Sequence, residues 1–568
     1  MSLLEAPAET PAAPRRKGVA AERGAVYTPP LLAEWTAARL LRAMPAGVQT
    51  ILDPACGEGA LLETIADLSP ASLHLVGVDV DRGALKRARQ NLPGAQLKLM
   101  DTLAAALDGA EELRQELNLV EPVAAILNPP WGIKSIPGRK ELRAAGFELA
   151  GGQFDSADLF TELTVKLLAD GEAAALILPD SLFYPDRAPL RRFLLDNCTL
   201  ELVARLGEGF FPGVYRGVAV VVLRRGEAAP GHAVECVRLS PAGRRRALGG
   251  EATLEEVAAE SSHLVPQRRF AAEPGASLSI DQREDDLRHV HAVQRQGGGW
   301  ARTLASGRGV ELSKHGAIVD CPTCGRSRPR PRGSSLVDCA CGASLDPAKL
   351  AARRIVRPRG EGSRRGWRQL IAGEDVRRYR VEPGREIEFG IEGINYKRGA
   401  TAGPRLLVRK TGIGLKAALY EGRALTTQTV FHFQASDESP GFLLAYALGV
   451  LSSRVMLAVH LKRSGEHEWR SHPYVTQSLL AELPIPEPEP GTQRWKQAEA
   501  IAAAAAPGIE PGTEADLELE ALVAGLYGLG EEDMTWVGRV LDEVGGEMEG
   551  VVSLRLPEGA RVTPRLVD

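Results

Sequence analysis

Long apolar runs are missing from this 568-residue chain. No stretch of about 18 apolar residues occurs, so the sequence excludes a membrane-spanning helix. The first residues (MSLLEAPAETPAAPRRKGVAAE) lack the apolar centre of a signal peptide. They are rich in Ala, Pro and charge, and residues 1–22 are expected to be a disordered leader. A cytoplasmic chain without a membrane partner is the default expectation. Internal repeats are also absent. Cysteine is sparse, with seven in the chain. Cys56, Cys198 and Cys236 lie scattered in apolar or loop contexts and read as free thiols.

What is present is unevenly distributed. The net charge is only −4, yet residues 301–380 hold 18 Lys+Arg against 7 Asp+Glu, a local excess of +11 that leaves −15 for the rest. Such segregation points to a polyanion partner for one region, since patch charge dominates nonspecific affinity for nucleic acid. A merely solvated basic surface is the plainer reading. In the same region Cys321-x-x-Cys324 and Cys339-x-Cys341 form two close pairs separated by 14 residues. Two thiol pairs with glycines behind them suit a four-thiolate zinc ribbon, expected over 318–346, although the second pair is CxC where CxxC is usual. Disulfides are the alternative, and a cytoplasmic setting disfavours them.

From Val48 to about Arg225 short β-rich runs alternate with helical segments. QTILDPA, LHLVGVDV, AQLKLMD, PVAAILNPP and EAAALILPDSLF read as strands. GALLETIADL, RGALKRARQNL, SADLFTELTVKLLADG and PLRRFLLDN read as helices, the third ending on a glycine C-cap. This alternation predicts an α/β fold with a parallel sheet covered on both faces. TLELVARLG and GVAVVVLRR follow, and the pair around 210–223 is expected as an edge hairpin. Residues 231–300 read as a helical connector. Residues 301–490 have more Arg, Gly and Pro and short strands, which suits a separate mixed α/β domain. Residues 491–568 read as a helical C-terminal region.

In an open parallel sheet, ligands bind at the carboxyl ends of strands where strand order reverses. The first strand ends in DPACGEG, with Asp53 closing it and Gly57 and Gly59 allowing a tight turn. The second ends at Asp79, placed to accept ribose hydroxyls; the third ends at Asp101, placed to reach an adenine amine. Singly, each Asp reads as a strand-end cap. In order on successive strands they describe a nucleoside crevice with three carboxylates and no base in its glycine loop. A pyrophosphate prefers helix N–H groups free of acids, whereas a sulfonium cation favours them. The crevice therefore suits S-adenosylmethionine over a dinucleotide.

The fourth strand ends in Asn128-Pro129-Pro130-Trp131. An exocyclic amine on a base is conjugated and weakly nucleophilic. Two acceptors, the Asn128 amide oxygen and the Pro129 carbonyl, can take its two N–H bonds and turn its lone pair toward a methyl donor. The prolines stiffen the backbone, and Trp131 offers a π-face to a base flipped out of a duplex. Cytosine-C5 chemistry needs a nucleophilic cysteine after a proline, and none occurs at this strand end. Cytosine-N4 transfer shares the amine geometry; Asn128 favours adenine.

VYTPPLLAEWTA, ILDPACGEGALL, GVDVD, MDTL, NPPW and EGFFPGVYRGVAVVVLRR follow one another in the order of the gamma-class amino-methyltransferases. The resemblance is to DNA adenine-N6 methyltransferases of restriction–modification and related defence systems. It covers roughly Gly24 to Arg225, and more loosely Gly366 to Pro486. It implies a Rossmann-like seven-stranded methyltransferase sheet over 23–230 and a separate target-recognition domain over 301–490 carrying the zinc-ribbon insert. It implies cofactor contacts from Thr28, Asp53, Ala55, Gly57, Asp79, Val80, Asp101, Thr102 and Pro130. Phe211 of FFPG matches the aromatic that faces the flipped base opposite Trp131. The family more often has Tyr or Phe where this chain has Trp131, so stacking is kept and the phenol hydroxyl is not.

In the basic domain, segments such as LLVRKTGIGLKAAL and LKRSGEHEWRSHPYVT mix cations, aromatics and amides. Lys314, Arg409, Lys410, Lys462, Arg463 and Arg470 are the candidate DNA contacts. Duplex DNA is the expected partner. Only about 22 residues precede the first motif and no acidic–acidic–Lys nuclease constellation is found, so a cleavage partner is expected on a separate chain. Methylation of RNA or of a protein glutamine, and an inactive DNA-binding defence subunit, are the competing readings.

Overall fold

The computed structural model describes residues 28–567 apart from 120–121, 134, 153, 213–215, 313–315, 331–335, 361–364, 397–402, 413, 465–474, 506–507, 544–553 and 557–558. The chain forms two compact units, residues 1–280 and 281–568.

The first unit is built on one sheet. Its strands are β1 (Thr50–Asp53), β2 (His74–Asp79), β3 (Gln96–Leu99), β4 (Val123–Leu127), β5 (Ala173–Pro179), β6 (Cys198–Gly207), β7 (Val218–Arg225), β8 (Ala233–Arg238) and β9 (His263–Pro266). They lie in the order β3-β2-β1-β4-β5-β7-β6-β8-β9. Strands β1 to β5 pair in parallel, and β7 runs antiparallel between β5 and β6. The helices that matter to the site are α1 (Pro30–Ala43), α2 (Ala60–Leu68), α3 (Arg82–Asn91) and α4 (Thr102–Ala105). The helix Ser156–Leu167 connects β4 to β5.

The central parallel strands β4 and β5 are apolar and buried at every position because both faces are covered. In β4, Val123, Ala125 and Leu127 join one core cluster. Ala124 and Ile126, one step out of phase, join the other. Each buried Leu or Ile contributes roughly 1.5–3 kcal/mol. A shift of one residue would exchange every side chain between the two cores, so the register that brings the ends of β1 and β4 side by side is strongly specified.

Four expectations are corrected. The sheet has nine strands where seven were expected. The two extra strands, β8 and β9, come from the segment read as a helical connector, which instead splits: residues up to 280 belong to the first unit. β8 pairs in parallel with β6, and β9 pairs with β8. Their apolar positions (Val234, Cys236, Val237, Val265) are too few and too interrupted by charge to stand out in sequence, and the open edge of β6 recruits them. The pair read as an edge hairpin is not at the edge, since β7 lies between β5 and β6. The helix before β5 ends at Leu167, with Leu168 extended, so Gly171 (φ 85°) shapes the following turn rather than capping the helix.

The second unit has a four-stranded antiparallel sheet, in the order Leu304–Arg308, Val430–Ala435, Arg405–Arg409, Ala417–Tyr420. The apolar helix Leu443–Leu451 packs over it. The C-terminal helices Gln493–Ala504, Glu514–Leu526 and Glu531–Glu543 share this core through Ile501, Leu519 and Val537. Residues 491–568 are thus part of this unit and not a region apart. Smaller sheets carry residues 317–388. No single helix among the described residues is long and apolar enough to cross a membrane.

Candidate active site

The carboxyl ends of β1, β2 and β4 converge at the point where strand order reverses. After Asp53 the backbone turns through Gly57 (φ 54°) and Gly59 (φ 85°) into α2. A Cβ on Gly59 would stand 2.9 Å from the movable end of Leu92, just after α3, so it is the positive φ that reserves the position for glycine. Asp53 Oδ1 accepts the Ala55 N–H at 3.0 Å. Asp79 accepts the Gly57 N–H at 2.8 Å on one oxygen and the Asp81 N–H at 2.7 Å on the other. The end of β2 therefore holds the glycine loop of β1 in place.

Asp53 is buried and Asp79 half-buried, and neither has an ion pair among the described residues. Burial pushes the Asp53 carboxyl up to about 8; the Ala55 N–H opposes this and the Asp79 charge adds to it. Burial also raises Asp79, against its hydrogen bonds to the Asp81 and Gly57 amides. It raises the Cys56 thiol far above its ordinary range, with the two carboxylates helping. Such a site disfavours anions and gains from a cation. Beside it Val80 is 59% exposed, an apolar side chain held in solvent at a strand end. The donor set fits the cofactor expected from sequence: acids for a cation and for hydroxyls, and an apolar surface for a purine.

Two expected contacts have other partners. Thr102 is buried and its hydroxyl donates to the Pro54 carbonyl at 2.7 Å, tying the ends of β3 and β1 together. Asp101 is exposed and caps α4 by accepting the Ala104 N–H at 3.1 Å.

At the end of β4 the Asn128 amide nitrogen donates to Thr28 Oγ1 at 3.1 Å. That bond ties the Asn128 side chain to the segment just before α1. The Pro130 carbonyl accepts a 2.6 Å hydrogen bond from Ser156 Oγ, which also receives the Ile133 N–H at 3.2 Å. Asp155 Oδ1 accepts the Gly132 N–H at 2.8 Å while capping the helix that begins at Ser156. The loop is thus clamped from outside the motif. Asp155 and Ser156 were not singled out from sequence, although a helix-capping acid followed by Ser in DSADL was a usable signal. Trp131 and Phe211 meet edge to face, centroids 5.5 Å apart at 86°. They do not form parallel walls around a slot. The Trp131 Nε1–H is buried and has no hydrogen-bond partner among the described residues.

The cysteine cluster is assembled as two turns. Cys321 and Cys324 lie between strands Ala317–Asp320 and Ser327–Pro329; Cys339 and Cys341 lie between Val337–Asp338 and Ser344–Leu345. All four sulfurs lie within 4.8 Å of one another, with Cys321–Cys341 at 3.7 Å and Cys324–Cys339 at 3.5 Å. All four cysteines are free thiols in this structure. A tetrahedral ion with arms of about 2.3 Å needs sulfurs about 3.8 Å apart. The Cys341 N–H brings the Cys339 thiol down to about 6, against burial.

The candidate DNA contacts fare unevenly. Lys462 is buried and pairs with Asp286 at 3.3 Å, so its assignment as a DNA contact is corrected. Its helix, Arg454–Ser464, is packed into the core, a context that a basic stretch near a helix end did not reveal. Arg409 ends a core strand and is half-buried, with burial lowering its pKa and Glu374 opposing this. Burial, then Arg308, lowers half-buried Lys410. Arg463 is half-buried and has contacts of its own. Lys314 and Arg470 lie outside the described residues.

Comparison with known proteins follows this geometry. Residues 16–245 match the N-6 DNA Methylase family and residues 368–485 match the TaqI-like C-terminal specificity domain. The methylase subunit of the type I restriction enzyme EcoEI of Escherichia coli is 27% identical over 218 residues, 36% of this chain and 42% of that protein. The type II methyltransferase M.TthHB8I of Thermus thermophilus is 30% identical over 215 residues, 35% of this chain and 44% of that protein. The matched stretch thus spans under half the length of either relative. Among solved structures, the type IIL restriction-modification enzyme MmeI in complex with DNA aligns over 93% of this chain and 73% of that one, at 11% identity and TM-score 0.49. The chain carries an N-6 DNA methylase domain followed by a TaqI-like specificity domain, and its relatives are restriction–modification methyltransferases.

Proposed function

We propose that the chain transfers a methyl group from S-adenosylmethionine to the N6 amine of an adenine flipped out of a specific duplex DNA sequence. On this reading it is the modification enzyme of a restriction–modification or phage-defence system. One observation carries the reading: Asn128 and Pro129 close β4 directly beside the acid-lined end of β1, with the Asn128 side chain held by Thr28.

Asp53, Asp79, Val80 and the Gly57 turn would hold the cofactor, which supplies an electrophilic methyl group. The chain's own residues do the rest. The Asn128 oxygen and the Pro129 carbonyl accept the two N–H bonds of the amine and turn its lone pair toward the methyl, so positioning replaces a strong base. Trp131 receives the base, with Phe211 perpendicular beside it. The specificity domain supplies DNA contacts. We assign the four-cysteine cluster to one structural zinc ion, on the sulfur spacing. A nuclease or other defence subunit would be a separate partner.

Purified protein with methyl-labelled cofactor and mixed-sequence duplex DNA tests the reading. Label recovered as N6-methyladenine, and lost in Asn128→Ala, is the expected result. Label found only in RNA or protein, or undiminished transfer by Asn128→Ala, overturns it.

A further inference from the structure

The three-stranded sheet of the cysteine module (Ser327–Pro329, Ala317–Asp320, Ala352–Arg354) has two unlike faces. Antiparallel partners share a face, and side chains alternate along each strand. Ala317 stands opposite Arg354, and the Arg330 N–H bonds to the Ala317 carbonyl on the other side. Val319 stands opposite Arg328 and Ala352. One face therefore carries Arg328, Arg330 and Arg354 around two alanines and a buried valine.

The three strands contain one acid, Asp320, and it points the other way. There it accepts from Ser327 Oγ at 2.5 Å and lies 4.0 Å from Arg353, which also pairs with Glu388 at 2.8 Å. That second face is neutralised and rests on the core through Ile318. On the first face Arg328 hydrogen-bonds to Cys339, but neither Arg330 nor Arg354 has an ion pair among the described residues. Charge is thus sorted between the faces, not merely abundant.

We infer that the Arg330–Ala317–Arg354 face of the cysteine module binds the phosphate backbone of duplex DNA. The inference rests on the proposed DNA methylation, and it places a contact outside residues 368–485, where the specificity domain is matched. The two arginines stand two strand spacings apart, about 10 Å, with a single methyl side chain between them. That is a shallow channel with cations on both banks. A duplex offers it an unbroken line of charge, about one per 1.7 Å of axis, whichever sequence is bound. Guanidinium forks match phosphate oxygens bidentately. The four-cysteine turns hold the hairpin that carries Arg328 and Arg330, so metal binding and grip on DNA are linked.

The test is the salt dependence of binding by the full-length protein to a fluorescein-labelled random-sequence duplex, read by anisotropy. Arg330→Gln with Arg354→Gln is expected to flatten the slope of log K against log salt by about 1.8, or 0.9 per lost phosphate contact. Arg354→Gln alone, at an exposed position, is expected to flatten it by about 0.9. The double lysine variant is expected to restore the slope, because charge and not shape sets this quantity. An unchanged slope in both glutamine variants overturns the inference and leaves the methylation proposal standing. Failure of the wild-type protein to bind any duplex overturns both.

Discussion

Ser156 Oγ lies 2.6 Å from the Pro130 carbonyl oxygen, and that hydrogen bond ties the loop after β4 to the first turn of the helix Ser156–Leu167. Asparagine and proline alone do not fix the two acceptors. The loop after them must be held too, and Ser156, 1% exposed, does this together with Asp155. Ser156→Ala is expected to lower kcat about 10- to 100-fold, the range set by displacements of about 1 Å. Nonspecific DNA affinity should change little, because no basic side chain is touched. Stability should fall by about 1 kcal/mol, from hydrogen bonds lost at a half-buried carbonyl and N–H. A rise in KM with unchanged kcat would contradict the assignment.

Asp53 gives the cofactor site a pH dependence with a definite sign. Burial holds its carboxyl up at about 8, so without ligand it is largely protonated at neutrality. A cationic ligand favours the ionised form, so binding releases a proton. Affinity for S-adenosylmethionine is expected to strengthen as pH rises toward about 8, by at most about tenfold per unit, and then to level off. Calorimetry in two buffers of different ionisation enthalpy reads the proton directly, and Asp53→Asn should abolish the dependence. The same raised value stabilises the empty fold below the ordinary carboxylate range and is lost as pH climbs through about 8.

The parallel core was legible because fully buried strands leave uninterrupted apolar runs, as VAAIL of β4 does. Asp53, Asp79 and Asn128 were legible because each closes such a run. What the sequence concealed depends on contacts remote along the chain. Thr102 reads as a site residue until its hydroxyl is found on Pro54, 48 positions away. Lys462 looks like a surface cation until Asp286 is packed against it. The strand His263–Pro266 has too few residues to show a period, and only the open edge of β8 makes it a strand.

Trp131 is expected to report base flipping. Its ring stands perpendicular to Phe211, at 86°, and a base stacked on it would add a new neighbour to the indole. With 2-aminopurine in place of the target adenine, wild-type protein should raise the probe's fluorescence and alter the tryptophan signal. Trp131→Phe should keep most of the flipping, and Trp131→Ala should lose about 1–3 kcal/mol of base stacking. Equal responses from the Phe and Ala variants would show that the ring does not receive the base.

The cysteine cluster is expected to hold one zinc per chain by elemental analysis. Removal with a strong chelator should lower the melting temperature of the second unit's transition and leave cofactor binding intact. Cys339→Ser should reproduce the loss, since one of the four sulfurs within 4.8 Å is then missing. Full metal content in that variant would exclude the four-thiolate assignment.

Lys462 separates a core ion pair from a DNA contact. Asp286 accepts hydrogen bonds from Trp536 Nε1 at 2.8 Å and from the Arg283 N–H at 2.9 Å, and Lys462 supplies the charge that balances it. Burial acts to raise that carboxyl, but the Lys462 ammonium, the Trp536 indole and the Arg283 amide together bring it below its ordinary value. Removing one partner of such a pair leaves a buried charge uncompensated, which costs roughly 3–5 kcal/mol. Lys462→Met should therefore lower the midpoint of chemical denaturation sharply. The salt slope of DNA binding, measured on the fraction still folded, should not move, because the ammonium never faces a phosphate. Lys462→Met with Asp286→Asn should recover much of the stability, since the orphaned charge is gone while the Trp536 hydrogen bond is kept. A variant that stays fully stable but binds DNA with a flatter slope would return Lys462 to the DNA surface.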